Sequence, residues 1–239
     1  NPEVVAKTIE TKGQNLLDGM KHMLADIGKG QLTHTSDGAF EVGRNLAMTP
    51  GKVVKRTALY ELIQYTPTTP DVLATPLVIF PPWINKYYIL DLKPANSLIK
   101  WITDQGYTLF VVSWVNPDPT YADRGMEDYV EHGYLAAIEE AKKLCKVKQV
   151  NAIGYCIAGT TLNLVLALLK KRGDKSVKSA TFFTTLTDFS DQGEFTPFLQ
   201  DDFVDGIEAE VAQHGILRTF IMGRTMSFLR SNDLIYQPA

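Results

Sequence analysis

Apolar residues recur at helical spacing through the first stretch of the chain. Val4, Val5, Ile9, Leu16, Leu17, Met20, Met23, Leu24 and Ile27 predict one amphipathic helix over residues 3–27. Gly28 and Gly30 end it. Residues 31–52 carry Thr35, Ser36, Asp37, Gly38, Pro50 and Gly51, a turn-rich set that reads as an extended loop. Over residues 53–65 apolar and polar positions alternate, which predicts one or two strands with a turn near Ala58.

From residue 76 the pattern becomes strand then helix, repeated. Leu77–Phe80 is a short continuous apolar run, as a strand buried on both faces requires, and Pro81-Pro82 stops it. A helix fits residues 96–105, with Asn96 as its N-cap and Gly106 at its end. Tyr107–Trp114 is a second buried strand, and Asn116-Pro117-Asp118-Pro119 a loop. Residues 126–145 form a helix, Val150–Ile153 a third strand, residues 157–171 a Leu- and Ala-rich helix, and Val177–Leu186 a fourth strand. Alternation of this kind predicts an α/β fold, a parallel sheet with helices on its faces. Beyond Leu186 the rhythm breaks. The charged stretches Asp191–Glu194 and Asp201–Glu208 read as surface loops, and the region as the start of an insertion over the sheet. The expected divisions are a leading segment over 1–52, a core over 53–187 and the start of a cap over 188–239.

The chemistry gathers where the third strand ends. It runs into Gly154-Tyr155-Cys156-Ile157-Ala158-Gly159, and a helix follows. G-x-C-x-G between strand and helix is the setting of a nucleophile elbow, which points to an α/β-hydrolase-type sheet. The turn is so tight that its flanks must be small, and Gly154, Ala158 and Gly159 meet that need. The helix N-terminus offers backbone N–H groups and a positive dipole end that favour a thiolate. Cys156 is therefore the expected nucleophile, set against the alternative of a buried cysteine in an inert turn. Cys145 lies among lysines in a helix with no turn and reads as structural.

An oxyanion hole needs two backbone N–H groups. One belongs to Ile157, the residue after the nucleophile. The other is expected in Pro81-Pro82-Trp83-Ile84-Asn85, where neither proline can donate; Trp83 and Ile84 remain, and Ile84 is favoured. A thiol also needs a base. In this fold the acid and the histidine follow the nucleophile in the chain. His214 is the single histidine after Cys156, and it lies only about one strand past the elbow, in the expected insertion. His132 sits mid-helix, and His22 and His34 in the leading segment. Asp188 follows the strand after the elbow and reads as a turn or N-cap residue, set against the alternative of a triad acid, as in some relatives of the fold. The expectation is that no imidazole of these residues reaches Cys156, and that activity depends on residues beyond Ala239.

Composition narrows the setting. The 239 residues suit one large domain, and 45% hydrophobic with 21% charged is ordinary globular usage. A formal net charge of −3 points away from a nucleic-acid backbone as partner. No apolar run is long enough for a transmembrane segment, and residues 1–12 hold no signal-peptide core. The missing initiator Met suggests a start inside a longer gene product. Two cysteines make no disulfide framework, so a cytoplasmic location is expected. No spacing of His, Cys and carboxylates suggests a metal, and no cofactor is expected.

Gly154-Tyr155-Cys156-Ile157-Ala158-Gly159-Thr160 resembles the lipase-like box of polyhydroxyalkanoate synthases, which carry Cys where lipases carry Ser. Residues 40–54, 62–67, 81–92, 113–118, 186–195 and 227–234 are similar to that family too, closest to its class I, short-chain members. Three positions depart: Trp83 replaces a frequent Cys, Val115 a usual Arg and Ala158 a usual Gly. The resemblance implies an acyltransferase that polymerises (R)-3-hydroxyacyl-CoA, chiefly 3-hydroxybutyryl-CoA, into polyester with release of CoA. It implies a homodimer at the surface of cytoplasmic polyester granules, with the family's catalytic Asp and His beyond Ala239. Two rival readings are a cysteine hydrolase of the dienelactone type and a non-catalytic dimerisation or granule-surface module.

Overall fold

The computed structural model describes residues 1–30, 33, 38–191, 193, 196, 199–219 and 221–223. Its contacts divide the chain into two units, Phe40–Asp191 and a second built from Asn1–Ala39 with Gln192–Ala239.

The unit Phe40–Asp191 holds one six-stranded sheet. Its strands are β1 (Gly51–Arg56), β2 (Tyr60–Tyr65), β3 (Leu73–Phe80), β4 (Tyr107–Trp114), β5 (Val150–Tyr155) and β6 (Val177–Phe183), in the order β1-β2-β4-β3-β5-β6. The expected parallel sheet is present as β4-β3-β5-β6. The hairpin β1-β2 adds antiparallel strands to its edge, so the sheet is mixed. A two-sided core explains the continuous apolar runs. Along β3, Val78 and Phe80 enter one cluster with Tyr134, Ile138, Leu162 and Val165. Leu77 and Ile79 enter the other, with Ile99 and Ile102. Side chains alternate across a strand, so both faces must be apolar when helices cover both.

The helices of this unit are α3 (Leu98–Asp104), α4 (Met126–Asp128), α5 (Ala136–Cys145) and α6 (Ile157–Lys171). Two local expectations change. Ser97, not Asn96, caps α3: its hydroxyl accepts the Lys100 N–H at 2.9 Å, while Asn96 closes a 3-10 turn over Pro94–Asn96. The helix expected over 126–145 contains a π-helical segment, Tyr129–Leu135. The extra residue in its turn rotates the face that follows, and Gly133 accommodates Trp114 where a Cβ would come within 3.0 Å of the indole.

In the other unit the single helix expected over 3–27 is two, α1 (Pro2–Glu10) and α2 (Gln14–Lys29). Lys12 and Gly13 take positive φ between them, 50° and 86°, which no helix can continue through. The loop expected over Asp201–Glu208 is part of a helix, α7 (Asp201–His214). Asp201 and Asp202 complement its N-terminal dipole, and Gly206 costs it only about 1 kcal/mol. His34, the 227–234 stretch and several residues of 186–195 lie outside the described residues.

Candidate active site

Cys156 stands between β5 and α6 as the helix N-cap, with φ +55° and ψ −127°. That backbone is a strained one for any residue but glycine, costing about 1–3 kcal/mol. Its neighbours show what holds it. The Cys156 N–H donates to the Phe183 carbonyl at 2.8 Å, tying the turn to the end of β6. The Cys156 carbonyl accepts from the N–H groups of Gly159 at 2.8 Å and Thr160 at 3.2 Å, which starts α6. The Thr160 hydroxyl reaches the Leu186 carbonyl at 2.6 Å, and Thr185 donates to the Phe183 carbonyl at 3.1 Å.

Small residues are a steric requirement here. A Cβ on Gly154 would sit 2.5 Å from the Gly159 Cα; one on Gly159 would sit 2.0 Å from the Thr185 hydroxyl and 3.0 Å from the Gly154 carbonyl. Ala158 is fully buried in the core below the turn. Its carbonyl accepts a buried hydrogen bond from the Tyr134 hydroxyl at 3.0 Å. The turn thus presents Cys156 exposed at the carboxyl edge of the sheet, and leaves Cys145 partly buried against the core. Burial pushes the Cys145 thiol above its ordinary range.

The loop after β3 lies at the same edge, because Phe80 pairs with Gly154 in the parallel register. Asn85 N–H turns back to the Pro82 carbonyl at 3.1 Å, so Trp83 and Ile84 are the centre of a tight turn. Among the described residues the backbone N–H groups of Ile84 and Ile157 meet no acceptor. Ile84 is half exposed. Trp83 packs on Tyr129, with ring centres 5.6 Å apart. Its indole N–H is buried and meets no acceptor among the described residues. Burial pushes the Tyr134 phenol up, and the Trp83 indole and the Thr161 hydroxyl pull it partly back.

His132 is the one histidine of Phe40–Asp191, exposed on the π-helical segment. Among the described residues of this unit no imidazole is hydrogen-bonded to Cys156. His214 lies near the end of α7 and contacts the Glu210 carbonyl at 3.1 Å and its carboxylate at 3.5 Å. The Asp188 carboxylate accepts the Ser190 N–H at 2.9 Å, and the hydrogen bonds from Ser190 hold it below the usual carboxylate range. No group of three or more His, Cys, Asp or Glu among the described residues could hold a metal ion. The residues that sequence reasoning missed are Tyr134 and Thr185. Neither stands in the turn itself, and no local pattern marks them.

The sheet order, the parallel pairing of β4-β3-β5-β6 and the strand–turn–helix elbow define an α/β-hydrolase fold. Residues 1–102 match the family model described as poly-beta-hydroxybutyrate polymerase (PhaC) N-terminus. Over 99% of its length the chain is 45% identical to the poly(3-hydroxyalkanoate) polymerase of Methylorubrum extorquens, covering 40% of that protein. It is 42% identical to the poly(3-hydroxyalkanoate) polymerase subunit PhaC of Cupriavidus necator, again over 99% of this chain and 41% of the relative. Over nearly its whole length the chain is thus similar to poly(3-hydroxyalkanoate) polymerases, with their N-terminal region matched by the family model, and it spans about two fifths of the length of the curated relatives it matches. Among solved structures, an esterase from Rhizomucor miehei is similar at a TM-score of 0.43 and 16% identity, over 78% of this chain and 54% of that one.

Proposed function

We propose that this chain carries the nucleophile of an acyltransferase that polymerises (R)-3-hydroxyacyl-CoA, chiefly 3-hydroxybutyryl-CoA, into polyester. The observation that carries the reading is Cys156 itself, exposed at φ +55° on a turn braced by Gly154 and Gly159. A thiolate at Cys156 attacks the thioester carbonyl of the substrate. The oxyanion that forms is met by the N–H groups of Ile157 and Ile84. The carbon–sulfur bond to CoA breaks, CoA leaves as a thiolate that takes up a proton, and the acyl group stays on Cys156. The 3-hydroxyl of a second acyl group then attacks that thioester, gives its proton to a base, and releases the Cys156 thiolate as the ester forms. We assign the base to a histidine outside Phe40–Asp191, since His132 is exposed on the π-helical segment. The product is an insoluble polyester, with the enzyme as a homodimer at the surface of its cytoplasmic granules.

The test is to incubate the full-length protein with (R)-3-hydroxybutyryl-CoA, following CoA release, sedimentable polyester and the mass of the enzyme. Wild type should release CoA, deposit polymer and gain acyl mass on the Cys156 peptide. Cys156→Ala should lose all three. Free hydroxyacid without polymer would make the protein a hydrolase, and undiminished turnover in Cys156→Ala would overturn the assignment.

A further inference from the structure

Charge is distributed very unevenly over this chain. Residues 142–178 hold nine of its 24 Lys and Arg but only one of its 27 acidic residues, Asp174. The fold gathers the nine at one place. Helix α5 ends with Lys142 and Lys143, helix α6 with Lys170 and Lys171, and both end at the amino edge of β5 and β6. The loop carrying Lys146 and Lys148 and the loop carrying Arg172 and Lys175 meet there: Gln149 donates to the Lys175 carbonyl at 2.7 Å, and Lys142 to the Ser176 hydroxyl at 2.7 Å. Lys178 follows at the start of β6.

Some of this charge has a local reason. Lysines in a last helical turn complement the helix dipole, which accounts for Lys142, Lys143, Lys170 and Lys171. Lys142 also meets Glu139, and Arg172 is taken by Glu131. Lys146, Lys148, Lys175 and Lys178 lie outside the helices, are exposed, and meet no carboxylate among the described residues. Such a set gains nothing within the chain and repels itself, so an external anion is its natural counterpart.

We propose that the amino edge of β5 and β6 is a docking surface for a bilayer of anionic phospholipid. Three features favour lipid phosphate over a nucleic acid. The free charges are lysines, point charges on flexible stems; the one arginine, whose planar fork suits nucleic-acid phosphate, is committed to Glu131. Apart from Tyr155 at the opposite end of β5, residues 142–178 hold no aromatic side chain to stack on a base. Apolar side chains lie between them instead: Leu144 is exposed, and Leu166, Leu169 and Val177 line a shallow groove with Lys170 and Lys175. Lysine stems with interleaved leucines suit an interface of headgroup and acyl chain. Cys156 stands at the opposite, carboxyl edge of the same strand, about 20 Å away along β5. A chain docked by this edge would hold its thiol facing away from the bilayer.

The test uses full-length protein and two vesicle preparations, phosphatidylcholine alone and an equal mixture with phosphatidylglycerol. Co-sedimentation is expected with the mixture and not with phosphatidylcholine. Binding should be released at about 1 M salt, where the screening length is about 3 Å. The triple variant Lys148→Glu/Lys175→Glu/Lys178→Glu should lose about tenfold or more in partitioning, and the Gln versions of the same three a smaller factor. Both should keep the wild-type melting temperature and the wild-type rate of CoA release without vesicles. Equal binding to both vesicles, or unchanged binding by the variants, would overturn the proposal. So would tighter retention by a DNA duplex than by the anionic vesicles at the same salt.

Discussion

The Tyr134 hydroxyl donates to the Ala158 carbonyl at 3.0 Å, across a buried gap that joins the π-helical segment to the first turn of α6. The same ring stacks on Phe80, the last residue of β3, with centres 4.3 Å apart. One side chain thus touches both the strand that leads into the Ile84 turn and the helix that follows Cys156. Tyr134→Phe keeps the stack and leaves a buried carbonyl without that donor. It should lower unfolding free energy by about 1 kcal/mol, read by urea denaturation. Tyr134→Ala also opens a cavity and should cost about 3–5 kcal/mol. Equal stability of wild type and Tyr134→Phe would mean the hydrogen bond contributes nothing.

The strain at Cys156 should be measurable. The side chain is exposed, so its removal forfeits little packing, whereas φ +55° with ψ −127° suits glycine alone. Cys156→Gly should raise stability by about 1 kcal/mol after glycine's greater freedom in the unfolded chain is subtracted. A destabilised Cys156→Gly would show that the turn is not strained.

The two flanking glycines should differ. A methyl on Gly154 meets backbone, 2.5 Å from the Gly159 Cα, and the turn must open; we expect a loss of about 3 kcal/mol. A methyl on Gly159 meets chiefly the Thr185 side chain, which can move. Gly159→Ala should cost less, and Thr185→Ala should recover part of that cost. Thermal melts of the two single variants and the double variant decide it, and strict additivity would reject the contact.

The two thiols should react unequally. Cys145 is partly buried and its thiol is held protonated by burial, while Cys156 is exposed. With limiting iodoacetamide at about pH 8, Cys156 should be alkylated faster by about tenfold or more, as mapped by peptide mass. Preferential labelling of Cys145 would contradict the geometry.

Alkaline pH should unfold the core through its tyrosines. Burial, with Glu140 adding to it, raises the Tyr60 phenol from 10.0 to about 12, and burial pushes Tyr65 and Tyr134 higher still. A pKa raised on folding means that the unfolded chain loses its proton first. The stability these phenols confer is therefore intact below about pH 10 and falls as pH rises toward 12. Tyrosinate absorbance and loss of far-ultraviolet dichroism should appear together above pH 10, and ionisation of these tyrosines in a still-folded protein would refute the assignment.

Much of this protein is local, and the sequence by itself determined it. Strand Tyr107–Trp114 and helix Ile157–Lys171 occupy the residues that periodicity assigns them, because a run buried on both faces and a Leu-rich helical face leave few alternatives. The elbow was legible because a turn this tight admits only small residues, and Gly154 and Gly159 stand where the steric limit falls. Other features depend on what comes together across the chain. No pattern distinguishes Tyr134 from any helical tyrosine until the π-helical turn brings it to Ala158, 24 residues away. Ser97 displaced Asn96 as cap because its hydroxyl also bonds buried Asp91 at 2.5 Å. A net charge of −3 concealed the lysine edge, since summed charge carries no position until the sheet brings two helix ends and two loops together.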